Sequence, residues 1–118
     1  MSPEAVPTPE RLINEASALD SAILQRQAHR AAAAADRLVV DLLRREQHLE
    51  RLSARVDRSV AERLARANLA LRAGVLLLAD KLRAGDDWPA RANVQRRVQE
   101  LIRAEAVSAG RAARPSAD

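Results

Sequence analysis

A chain of 118 residues suits one domain. It carries 20 basic and 16 acidic side chains for a net charge of +4, with no cysteine, tyrosine or phenylalanine and one tryptophan. That composition excludes a disulfide scaffold, a cysteine metal site and an aromatic platform for stacking nucleic-acid bases.

Alanine accounts for 26 residues, leucine for 16, and 19 of the 20 basic residues are arginine. These are strong helix formers, and only three glycines and five prolines oppose them. The composition therefore predicts an all-α fold with a lean core: long amphipathic helices forming a helical hairpin, bundle or coiled coil, with a short C-terminal helix. No run approaches the roughly 20 apolar residues of a membrane span, and no basic-then-apolar leader is visible. A cytoplasmic location is the expectation.

Residues 1–8, with Pro3 and Pro7 among small and polar neighbours, read as a flexible tail. Thr8, Pro9 and Glu10 then supply a cap, a first-turn proline and an acid at the positive end of a helix dipole. A first helix is expected over about 9–34, with Leu12, Ile13, Ala16, Leu19, Ile23 and Leu24 as its apolar stripe. The alanine run Ala31–Ala35 either continues this helix or precedes a new start capped by Asp36.

A second helix is expected over about 36–84. Leu38, Leu49, Val60, Leu71 and Leu82 recur every eleven residues, and Leu42, Ser53, Leu64 and Val75 form a parallel row. Arg45, Val56, Ala67 and Leu78 make a third row on the same side. Eleven residues are nearly three helical turns, so the rows describe one straight or slightly right-handed seam. Asp57 and the sequence Ser59-Val60-Ala61-Glu62 offer caps for a break near 57–59. No glycine, proline or asparagine supplies turn chemistry there, and the apolar phase runs on. The spacing therefore favours one continuous helix, about 73 Å long. Such a rod is not stable alone, so its seam requires a partner. Gly85 ends it. Asp86 or Asp87 caps a last helix over about 90–107, with Val94, Val98, Leu101 and Ile102 on one face. Residues 108–118 read as a second flexible tail.

Catalytic spacings are missing. His29 and His48 lack acidic neighbours at helical spacing, and each reads as a solvated helix-surface residue. Glu46 and Glu50 sit among arginines. There is no glycine-rich phosphate loop, no nucleophile elbow, and no carboxylate pair in an apolar context. The expectation is a non-enzymatic protein without cofactor or metal.

The expected function is helical protein–protein interaction or assembly through the apolar seam: Leu38, Leu42, Leu49, Leu52, Val56, Val60, Leu64, Leu71, Val75, Leu78 and Leu82. The partner is a second copy or another helical protein. Trp88 is either the anchor of the last helix or an exposed hot spot for a partner. The rival reading is an arginine ladder on DNA or RNA phosphates, carried by Arg44, Arg51, Arg55, Arg58, Arg63 and Arg66. Acids such as Asp57 and Glu62 interrupt that ladder. A basic amphipathic helix on a membrane is a weaker third reading, because acids populate the polar face.

Overall fold

The computed structural model describes residues 7–52, 57–85 and 93–113, with all their side chains except those at 50, 52 and 108–113. Among the described residues there are four helices and no strand: α1 (Pro9–Leu24), α2 (Ala28–Leu52), α3 (Arg58–Ala84) and α4 (Val94–Ala113). Helix α1 packs on α2 and α4, and α3 completes the ring by packing on α2 and α4. Each helix runs antiparallel to both of its neighbours, as in an up-down-up-down four-helix bundle.

Helix α1 starts as its residues dictate. The Thr8 hydroxyl accepts a hydrogen bond from the Arg11 amide at 3.1 Å, and Pro9 fills the first turn. Pro7, just before the cap, is buried. Leu12, Ala16, Leu19, Ala22 and Ile23 point into the core.

The first helix ends ten residues earlier than the expected 34. The Gln27 amide donates to the Ala22 carbonyl at 2.9 Å, and the Arg26 amide donates to the Ile23 carbonyl at 3.1 Å. This is the Schellman pairing, with Arg26 in the left-handed region at φ 54°. Glycine ordinarily holds that position, so nothing in the composition marked the turn. Helix α2 then begins at Ala28, and the alanine run is not a joint. Ala31, Ala34 and Ala35 are buried in the core.

The continuous helix over 36–84 is not formed. Helix α2 ends at Leu52 and α3 starts at Arg58, where the Asp57 carboxylate accepts from the Ser59 amide and hydroxyl, both at 2.8 Å. The two helices lie side by side and antiparallel. Arg72 on α3 pairs with Glu46 on α2 at 2.8 Å, and Arg83 pairs with Asp36. The buried Asn68 side chain donates to the Leu42 carbonyl at 2.9 Å. The eleven-residue rows persist because each helix turns its stripe to one shared core, where an intramolecular neighbour meets the need of the seam for a partner.

Gly85 ends α3 in the left-handed region at φ 73°, as its position predicted. Helix α4 starts at Val94, not near 90, and its first amides are held from a distance. Asp20 on α1 accepts from Val94 at 3.0 Å and from Gln95 at 2.9 Å. Val94, Val98 and Leu101 are buried, and Ile102 packs beside them. The helix runs past 107 to Ala113, through a stretch expected to be a tail, because a lone Gly110 lowers helix propensity without forcing a stop. Asp86, Asp87 and Trp88 lie outside the described residues, as do residues 1–6 and 114–118 of the two expected tails.

Candidate interaction surface

The expected seam forms the bundle's own core. Leu38, Leu42, Leu49, Leu64, Leu71, Val75 and Leu82 are buried, and Val60 and Leu78 are half-buried. The Leu52 side chain and Val56 lie outside the described residues. The folded chain therefore covers these side chains itself, and a surface for another molecule has to be found elsewhere.

The arginine row is divided by the chain reversal. Arg44 and Arg51 lie on α2, whereas Arg58, Arg63 and Arg66 lie on α3, and Arg55 is outside the described residues. Arg44 is committed to Asp41 at 3.4 Å, and Arg58 to Glu62 at 3.2 Å. Arg51, Arg63 and Arg66 are exposed. No single line of cations survives in the folded chain.

Besides Asn68, two polar groups stand inside the bundle. Arg45, only 2% exposed, reaches from α2 to Glu105 on α4, and His48 Nε2 lies 3.2 Å from the same carboxylate. Burial first, then the charges of Arg45 and Arg51, hold the His48 pKa below its usual value. His48 thus has an acidic neighbour after all, supplied by α4 and not by its own helix. Arg45 thus ties α2 to α4 within one chain.

The second group is a carboxylate pair that spacing alone concealed. Asp41 is 1% exposed and takes Arg11 Nε at 2.9 Å. Glu15 lies beside it, and burial together with the Asp41 carboxylate raises the Glu15 pKa to about 7. A carboxyl in this setting holds a proton near neutrality. The position of Asp41 carried a signal: it falls three residues after Leu38 and beside Leu42, within the apolar stripe. Asn68, between Leu64 and Leu71, carried the same one. Among the described residues no cluster of three or more histidines or acids is placed to hold a metal ion. No helix among them is long and apolar enough to cross a membrane.

The outside of the α2–α3 hairpin differs from the rest of the described surface. Val40 and Leu43 on α2, and Leu69, Leu76 and Leu77 on α3, are 44 to 63% exposed. Among the described residues the other large exposed apolar side chains are Leu24, at the end of α1, and Val107, on α4. The register set by Arg72–Glu46 and Arg83–Asp36 puts Leu43 level with Leu76. Ala70 and Ala73 are also exposed and extend the strip along α3. A shallow groove of about 270 Å³ between α3 and α4, lined by Ala67, Ala70, Leu71, Leu101 and Ala104 with Arg97 and Glu100, borders it. This surface is hidden in the spacing, because Leu76, Leu77 and Leu78 are consecutive and only the last packs against the core.

Comparison of the chain with protein-family models, with curated proteins and with solved structures gives no match.

Proposed function

We propose that this chain is a non-enzymatic helical interaction or assembly module. It presents the outer face of the α2–α3 hairpin to a second helical surface, either another copy or another protein. The observation that carries this reading is the strip of half-exposed Val40, Leu43, Leu69, Leu76 and Leu77 on a bundle whose own core is already closed. Grouped apolar side chains on a surface mark an interaction site, whereas single ones do not. The expected seam thus changes its part: it builds the scaffold, and the scaffold displays a second stripe.

The test is the paired substitution Leu43→Glu with Leu76→Glu. Both side chains are exposed, so the helix content and the unfolding free energy of the monomer should stay as in the wild type, the latter within about 0.5 kcal/mol. Association, with itself in sedimentation or with a partner co-purified from its own cells, should be lost. Association that survives both substitutions contradicts the proposal.

A further inference from the structure

We infer that the outer face of α3 pairs with the same face of a second copy, antiparallel, about a two-fold axis beside Ala73. The inference rests on the interaction reading above and adds to it the partner and the register. Arg66, Leu69, Ala70, Ala73, Leu76, Leu77 and Asp80 are all exposed and share one side of α3 at spacings of three and four. The order is nearly palindromic in character: a cation seven residues before Ala73 and an anion seven after it. Among the described residues neither Arg66 nor Asp80 has an ion-pair partner within the chain. Of the neighbouring charges, Arg83 pairs with Asp36 and Arg58 with Glu62, whereas the exposed Arg63 and Lys81 form no ion pair among the described residues.

Antiparallel pairing about Ala73 sets Arg66 level with Asp80 of the second copy, twice by symmetry. A closed two-fold interface uses the same patch on both chains and therefore has to be self-complementary in this way. The same operation places Leu69 against Leu76 and seats Leu77 over the small Ala70. Ala73 meets itself at the axis, where its short side chain allows close approach of the helices. Leu43 of α2, level with Leu76, widens the apolar strip on one side. A parallel pair in the same register puts Arg66 against Arg66 and Asp80 against Asp80, which is repulsive. The Arg66–Asp80 pair thus favours the antiparallel orientation over the parallel one.

Sedimentation equilibrium up to about 100 µM tests this, because interfaces of ordinary size span micromolar and tighter affinities. The wild type should dimerise. Arg66→Asp alone and Asp80→Arg alone should each weaken the dimer at least about tenfold by juxtaposing like charges. An equimolar mixture of these two variants should restore a dimer, because each supplies the charge that the other needs. The chain has no native cysteine. Ala73→Cys should therefore form a disulfide-linked dimer on mild oxidation, and Leu69→Cys should not. A wild type that stays monomeric, a mixture that does not rescue, or cross-linking through Leu69→Cys overturns the pairing. A monomer whose Leu76 face still cross-links to a different protein overturns only the pairing and leaves the interaction reading standing; a monomer without such a cross-link removes both.

Discussion

Glu15 shows how one buried carboxyl makes stability depend on pH. Its folded pKa is raised from 4.5 to about 7, chiefly by burial and then by Asp41, with Arg11 and Arg37 opposing. Between those two values the folded state holds a proton that the unfolded state has lost. Stability from this group is therefore full below about pH 4.5 and falls as pH rises toward 7. Glu15→Gln keeps the shape and removes the titration. It should stabilise the protein by about 1–3 kcal/mol at pH 8 and flatten the decline between pH 4.5 and 7. Thermal melts across that range check this, and an unchanged slope contradicts it. His48 works in the opposite sense: its pKa is depressed, so its protonation destabilises the fold as pH falls through the unfolded value. Arg26 offers a second test. It is exposed and holds φ 54°, a region that costs a side-chain-bearing residue roughly 1 kcal/mol. Arg26→Gly should raise stability by about that amount in urea denaturation, whereas a loss would show that Arg26 does more than occupy the turn.

At the scale of elements, helix ends were harder to read than helix faces. The buried stripes of α1, α2, α3 and α4 follow the apolar spacing, and most residues assigned to the seam are buried. Two of the ends were not legible. The α1–α2 turn uses an arginine where glycine is the usual signal, and the start of α4 is capped by a side chain 74 residues away. A continuous apolar phase also cannot distinguish one long helix from two that reverse and share a core. Asp57 was a visible cap, but no turn residue accompanied it. The long-range cap makes its own prediction. Asp20→Ala removes the acceptor of the Val94 and Gln95 amides and should cost about 0.5–2 kcal/mol, with earlier amide exchange in the first turn of α4. Asp20→Asn should recover part of that loss, since it keeps one acceptor oxygen. Equal stability of Asp20→Ala and the wild type would show that α4 holds its start without α1.

At the scale of the whole molecule, a composition rich in alanine and poor in aromatics produces a thin bundle of closely spaced helices. Ala16, Ala22, Ala31, Ala34, Ala35, Ala61 and Ala79 are buried in it. Close packing of narrow helices leaves leucine to spare, and five large apolar side chains remain on the outer side of the α2–α3 hairpin. That surplus, and not the buried seam, is the surface we propose for interaction. It was not legible from spacing, because a second stripe on an already amphipathic helix is distinguishable only once the first is known to be covered. The most direct test places a photoreactive amino acid at Leu76, on the outer face, and at Asn14, exposed on α1, and irradiates each protein in its own cells. The account predicts a discrete cross-linked protein species from Leu76, whether a dimer of this chain or a complex with another protein, and none from Asn14. No cross-link from Leu76, or the same products from both positions, would contradict it.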